Sequence, residues 1–484
     1  MVSCPKALVA VDLGAQSCRV SLLRSESGRP EIRVVHRFSN APAASRTGLH
    51  WDMAKIFAGV ATGLRRCAEL APEGIASLGV DGWAVDYVRL AADGNRLGDP
   101  FCYRDERASR AMREVLALIA PERLYALTGV QIISLNSLFQ LYADKLAGVS
   151  GESRWMNLPE YVTCLLGGRP VAEFTNATHT QLVALGEAKW CAEIFNATGL
   201  ELLAAPEIVG TGTLVGTLSG ELRGLPALSR TRLFVPACHD TASAIAAIPA
   251  AGDDWAFISS GTWSLVGTVL ARPCVSDQTR KMNFTNLGGV GGSICFLKNV
   301  NGMWLLRQCM DAWAEAGQVW TVEELVRECP KLPSPRCLID VDDPALTAPG
   351  DLPARINAQL NEAGHASLPP DRTGIPQMAN LIFHSLARRY AEVLDAVAQT
   401  TGKRLKRLFI VGGGARNEFL NRLTAERTGL DVHCGSSEAS TIGNFAVQMA
   451  ALAAGRNGPS GVAAAEVAAH AKALASVPFS GFME

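Results

Sequence analysis

Four short stretches gather residue types suited to phosphate and alcohol chemistry. In DLGAQSCR (12–19) a carboxylate ends an apolar run, and a glycine turn with small polar residues leads to Arg19. Backbone N–H groups in such a turn, with Ser17 and Arg19 beside them, can cradle phosphate oxygens, while Asp12 can hold a hydrated divalent metal. An ordinary β-turn accounts for the same string. SSGTW (259–263) sets serine, glycine and threonine between two apolar runs, which lets backbone approach an anion and adds a hydroxyl donor. VGGGARNEFL (411–420) ends an apolar run in three glycines and opens a helix, whose N-terminus favours negative charge; a tight turn alone would ask for one glycine. ACHDTASA (237–244) sets Asp240 between His239 and Thr241. There a carboxylate can take a hydroxyl proton or cap a helix, and spacing does not separate the two. Asp81 and Asp86 of GVDGWAVD (79–86) are similarly placed carboxylates, with Trp83 and Ala84 able to wall a sugar.

These residues need strands to carry them. ALVAVDLG (7–14), CRVSLLR (18–24) and IRVVHRF (32–38) read as an antiparallel meander, from their apolar run and alternation. Residues 53–70 read as a helix through Ile56, Val60, Leu64 and Cys67, and 75–90 as a further strand. PAAGDD (249–254) interrupts the pattern, after which 255–270 gives strand, glycine turn and strand. Residues 376–401 read as a long amphipathic helix, 408–414 as a buried strand ending in glycines, and 418–429 as a helix stopped by Gly429. The second half thus repeats the first in outline, which implies a duplicated α/β architecture with a cleft between halves. GTGTLVG (210–216) has its third glycine one residue late for a dinucleotide fingerprint and reads as a surface turn.

The chain has 484 residues, 48% apolar and 19% charged, with 45 basic and 46 acidic side chains, a net charge of −1. That balance argues against a nucleic-acid groove or a basic membrane-surface binder. Thirteen scattered cysteines without a metal-ligand cluster suggest free, mostly buried thiols in a reducing compartment. ALVAV runs straight into Asp12 and is not read as a signal peptide, and no stretch approaches the ~18 apolar residues of a membrane span. A soluble, cytoplasmic protein is the expectation. There is no G-x-x-x-x-G-K-[ST], G-x-S-x-G, H-E-x-x-H or EF-hand loop.

Taken in order, VDLGAQSCRV, VHRF, GLHWD, GVDGWAVD, YRDER, LPEY, FTNATHTQLV, CHDTASA, SSGTWSLVG, NFTNLGG, FLKNVNGMWLLRQ, VGGGARN and SSEASTIGN span about residues 7–455. The set resembles the FGGY carbohydrate kinases, most closely their rhamnulokinase branch. The resemblance implies an α/β protein of two actin-like, ribonuclease-H-like domains facing an interdomain cleft, with ATP on one side and sugar on the other. It implies a domain over 1–248 with the sugar side and the first phosphate loop, a nucleotide-binding domain over 255–455, and a peripheral segment over 456–484.

Carried over by position, Ala15, Gln16, Ser17, Cys18 and Arg19 lie at the first phosphate loop, with Asp12 near Mg²⁺. Thr262 lies at the second phosphate loop, Gly413 on the adenosine side and Arg307 near the nucleotide. Ala84, Asn299, His239, Asp240 and Thr241 meet the sugar, with Asp240 as catalytic base. The implied activity is ATP-dependent phosphorylation of the 1-hydroxyl of a ketose, L-rhamnulose first, with L-fuculose or a pentulose as the alternative and an actin-like ATPase as a remote one. The implied partners are a small sugar and ATP, with no nucleic acid and no membrane. The branch usually reads D-T-W-G-V-D, where this chain has Gly82 and Ala84 in the second and fourth places, and P-D-Y where it has LPEY. These departures bear on the identity of the sugar.

Overall fold

The run ALVAVDL forms strand Ala7–Leu13, buried at every position, in a computed structural model that describes residues 7–26, 29–149, 153–347, 350–455 and 461–481. Side chains alternate along a strand: Ala7, Val9, Val11 and Leu13 join one apolar cluster, while Leu8 and Ala10 join another. A strand covered on both faces requires an unbroken apolar run. It pairs antiparallel with Ser17–Glu26 and parallel with Ile75–Gly82. Arg29–Ser39, Thr213–Thr217, Arg232–Val235 and Phe479–Gly481 complete a seven-stranded sheet. Helix Met53–Leu70 covers one face with Ile56, Val60, Leu64 and Cys67 buried, and Asp52 caps it by accepting from the Lys55 N–H at 2.9 Å.

The chain forms two compact units, and neither is continuous in sequence. The first comprises Met1–Ala251, Val269–Cys295 and Ala439–Glu484; the second comprises Gly252–Thr268 and Phe296–Glu438. A composition break at 249–254 gives no hint that residues from 439 onward return to the first unit. Helix Ala439–Ala454 explains it. Ser440, Asn444 and Gln448, four residues apart, lie along one helix face. Asn444 donates to Asp81 Oδ2 at 2.5 Å and to the Gly79 carbonyl at 3.2 Å. Gln448 donates to the Val9 carbonyl at 2.9 Å and accepts from the Ser77 hydroxyl at 2.6 Å. Gly443 lets this helix close on helix Asp240–Ala246, since a methyl there would collide with the Ser243 carbonyl. The alanine-rich end is more than a peripheral helix. Helix Ala464–Leu474 buries Val467, Ala471 and Leu474, and Phe479–Gly481 adds the last strand beside Arg29–Ser39.

A second, six-stranded sheet runs in the order Thr285–Gly288, Ile294–Asn301, Trp263–Leu270, Trp255–Ser260, Arg407–Val411, Asp431–Cys434. Trp255–Ser260 is antiparallel to Trp263–Leu270 and parallel to Arg407–Val411. Helix Gly374–Thr401 carries Pro376 in its first turn and stops at Gly402 with φ 70°. Helix Glu418–Thr428 is capped by Asn417 and stops at Gly429 with φ 65°.

Two expectations fail locally. The stretch 75–90 is two strands, because Tyr87–Leu90 leaves the main sheet to pair with Arg154–Asn157. Val85 at the break has φ 70°, a conformation that β-branched residues rarely adopt. GTGTLVG is not a surface turn: it supplies strand Thr213–Thr217, with Thr211 and Thr213 buried. Among the described residues no helix is long and apolar enough to cross a membrane, and the described cysteines are free thiols, most of them buried.

Candidate active site

Asp12 and Asp81 are neighbours across two parallel strands, at the carboxyl ends where α/β sheets open their ligand crevices. Asp12 Oδ2 is held by Arg19 Nε at 3.2 Å and by the Ser440 hydroxyl. Asp81 is fully buried, and its Oδ1 has no hydrogen-bond partner among the described residues. Burial, and then the charge of Asp12, raises its carboxyl well above the ordinary range.

Asp240 is the first residue of its helix, and His239 occupies the capping position. The carboxylate therefore stands one residue inside the helix, past the capping position. Its Oδ1 accepts from the Thr241 hydroxyl at 3.2 Å and faces His239 Nε2 at 3.3 Å. Burial, and then Asp12, pushes Asp240 up to about 7. The 37% of its side chain that stays open limits the share due to burial but not the direction. A carboxylate tuned toward neutrality is suited to general-base work.

Behind the His239–Thr241 segment lies a buried polar scaffold. Glu173 Oε2 accepts from the Cys238 N–H at 2.9 Å, the Thr175 hydroxyl accepts from the His239 N–H at 3.3 Å, and the Gly82 N–H donates to the Cys238 carbonyl at 2.9 Å. Glu160 of LPEY accepts from the Glu173 N–H at 3.1 Å and from Asn176 at 2.9 Å. Burial, and the charge of Glu173, pushes Glu160 up to about 7. Gly82 suits this packing, since a Cβ there would lie 2.8 Å from both Leu13 Cβ and the Leu13 carbonyl oxygen. The threonine of the usual D-T-W-G-V-D would need that contact to move.

Asp86 is fully buried and occupied by its neighbours. It accepts from Trp51 Nε1 at 2.6 Å, Trp83 Nε1 at 3.0 Å, the Tyr103 N–H at 3.2 Å and Gln140 at 3.2 Å. Trp83 is thus turned toward Asp86 and packs on Trp51, ring centroids 4.5 Å apart. The Val85 carbonyl accepts from Ser137 at 2.6 Å and Gln140 at 3.2 Å. These bonds hold the strained residue beside buried Ala84.

In the first loop the Leu13 carbonyl accepts from the Trp83 N–H at 3.1 Å, Gly14 from Asn40 Nδ2 at 3.0 Å, and Gln16 from the Asn40 N–H at 2.9 Å. In a trans peptide the N–H points opposite to the C=O. The N–H groups of Gly14, Ala15 and Ser17 therefore face away from those anchors, as an anion cradle requires. Cys18 turns its thiol into the core, where burial pushes it up to about 12, so only its backbone can serve a ligand.

Thr262, Asn299, Arg307 and Gly413 belong to the second unit. The Met303 and Trp304 N–H groups donate to the Gly261 and Thr262 carbonyls at 3.0 and 3.1 Å, which locks the turn against the loop that follows Asn299. Arg307 is exposed and pairs with Asp311 at 3.1 Å. Of the three glycines, Gly412 has φ 85° and lies against the Ser260 carbonyl, and a Cβ on Gly414 would strike the Ser260 side chain. Packing alone explains both, contrary to the expectation that a tight turn needs one glycine. Gly413 faces open space.

Sequence reasoning missed Ser440, Asn444, Glu173 and His179, whose Nε2 lies 3.0 Å from His239 Nδ1. The uncharged polar residues at four-residue spacing in an alanine-rich helix were the available signal for the first two. Among the described residues no group of three or more His, Cys, Asp or Glu is arranged to hold a metal ion. Mg²⁺ in nucleotide sites keeps most of its waters and uses one or two carboxylates with substrate phosphates, so Asp12 beside the first loop fits it.

The FGGY family of carbohydrate kinases matches through its N-terminal domain over residues 7–247 and its C-terminal domain over 256–452. The chain is 35% identical over 444 residues to the rhamnulokinase of Bacteroides thetaiotaomicron, covering 91% of this chain and 89% of the relative. It is 36% identical over 451 residues to that of Klebsiella pneumoniae strain 342, covering 92% and 89%. Its fold is similar to ligand-bound xylulose kinase from Lactobacillus acidophilus, with TM-score 0.76, 16% identity and 97% and 96% of the two chains covered. It is also similar to Plasmodium falciparum glycerol kinase with ADP, with TM-score 0.73, 13% identity and 99% and 94% covered. With two sheet-based units of the actin-like ATPase type and both family domains matched along its length, the chain belongs to the FGGY family of carbohydrate kinases.

Proposed function

We propose that this kinase transfers the γ-phosphoryl group of ATP to the 1-hydroxyl of a ketose, L-rhamnulose before others, giving the 1-phosphate and ADP. One observation supports the mechanism: Asp240, raised toward neutrality and partly open, has its Oδ1 engaged by Thr241 and His239, and in this reading Oδ2 meets the incoming hydroxyl. Asp240 takes the hydroxyl proton as the sugar oxygen attacks phosphorus in line. Ala84, His239, Thr241 and Asn299 hold the sugar, and the N–H face of residues 15–19 meets the phosphates. Thr262, Gly413 and Arg307 serve the nucleotide. When bound, Mg²⁺ neutralises phosphate charge, and Asp12 would hold its water shell. Because the transition state of phosphoryl transfer is loose, positioning and fixed charge supply most of the rate.

The named rhamnulokinases among the relatives support the choice of sugar. Ala84, a methyl where the branch carries glycine, favours the second reading, a kinase for L-fuculose or a pentulose. Coupled ADP release with MgATP across a panel of ketoses tests both. L-Rhamnulose should give the highest kcat/KM, with little ADP release when sugar is omitted. A higher value for L-fuculose or a pentulose replaces the first reading with the second, and rapid release without sugar points to an ATPase instead.

A further inference from the structure

His239 touches a second imidazole on the edge opposite Asp240. His179 Nε2 lies 3.0 Å from His239 Nδ1, and the ring centroids are 3.9 Å apart. His179 is held at the end of the short helix Phe174–Thr178, with its N–H on the Asn176 carbonyl at 3.1 Å. Burial lowers His179 to about 3 and His239 well below the usual histidine range, so both rings are neutral near pH 7. A neutral imidazole has one N–H and one lone pair, and its neighbours decide which nitrogen carries which. His239 Nε2 faces Asp240 Oδ1 at 3.3 Å, an acceptor when ionised. With the hydrogen on Nε2 that contact is attractive, and Nδ1 becomes the acceptor. With the hydrogen on Nδ1, a lone pair would face the carboxylate.

We infer that His179 is a positioning residue for the proposed transfer: by donating from Nε2 to His239 Nδ1 it holds His239 as the Nε2–H tautomer, which orients Asp240 through Oδ1. This rests on reading Asp240 as the base. The sequence supplies the partner through FTNATH, a motif whose Thr175 also binds the His239 N–H. The carboxylate and its orienting ring are thus fixed from one segment, as a base oriented by a third group requires.

The test is ¹⁵N NMR of the full-length, ¹⁵N-histidine-labelled protein without ligands, with the His239 signals identified by their loss in His239→Gln. The expected result is one tautomer, with a pyridine-type Nδ1 and a pyrrole-type Nε2. A His239 protonated at Nδ1, or an even mixture, overturns the inference. In kinetics, His179→Leu should lower kcat/KM for the sugar by about tenfold or more while leaving KM for ATP within about twofold. His179→Gln, which keeps an N–H donor, should recover most of the loss. Equal values for Leu and Gln would make the contact packing only and overturn the inference. The tautomer is read without sugar or ATP. A correct tautomer in a protein that phosphorylates no ketose therefore counts against the proposed activity and not against the imidazole contact.

Discussion

The turn after Leu13 and the turn after Ser260 sit in the same strand frame: a first strand antiparallel to the second and parallel to a third. Around the first turn are buried Asp12, half-buried Arg19 and, one strand over, buried Asp81. Around the second are serines, a threonine, a tryptophan and glycines, locked by backbone bonds to Met303 and Trp304 and by Gly412 and Gly414 against Ser260. One frame therefore displays either buried charge or bare backbone. The first arrangement raises proton affinity and can do acid–base work, whereas the second offers close approach without a titrating group. Function follows from what is mounted on the frame, not from the frame.

The largest test of that contrast removes the charge. Asp240→Asn should lower turnover by about 10²- to 10⁴-fold while ATP affinity, measured by calorimetry, stays near that of the parent; turnover close to normal breaks the division. Next is pH. Asp240 must be unprotonated to accept a proton and titrates at about 7, so kcat/KM for the sugar should fall about tenfold per unit as pH drops below that value. The residual rate of Asp240→Asn should lack this limb. A smaller effect separates the glycines. Gly414→Ala must displace Ser260 and should cost about 1–3 kcal/mol in chemical denaturation. Gly413→Ala, with open space around it, should stay within about 0.5 kcal/mol yet raise KM for ATP. An unchanged KM would remove the third glycine from the nucleotide site. The smallest test concerns strain in the charged unit. Val85→Gly should be more stable than Val85→Ala in thermal melts, the reverse of the usual order, because glycine relieves a left-handed backbone worth roughly 1–2 kcal/mol. The ordinary order would show that Val85 is not strained.

Strand Ala7–Leu13 and helix Met53–Leu70 were legible because burial on two faces, or on one helical stripe, leaves a periodic mark. Gly429 marked a helix end by its chemistry. The break at 83–86 was not legible. Trp83, Ala84 and Val85 continue an apolar run, and the donors converging on Asp86 from Trp51, Tyr103 and Gln140, in distant segments, join Trp83 to hold the turned chain. The capping alternative at Asp240 had the same origin, since residue type suits it to a cap and only backbone geometry shows that His239 holds that position. The partner of helix Ala439–Ala454 was hidden by distance along the chain.

That helix has a consequence for how the protein is made. Gln448 bonds to Val9 across 439 positions, so the part of the cover over strand Ala7–Leu13 that this helix supplies is missing until residue 448 has been translated. A nascent polypeptide that stops before residue 439 leaves Leu8 and Ala10 without Phe445 and Val447, members of their cluster. Such long-range closure slows folding and exposes sticky surface meanwhile, so a frameshift before residue 439 strips cover from strand Ala7–Leu13 as well as altering its own segment.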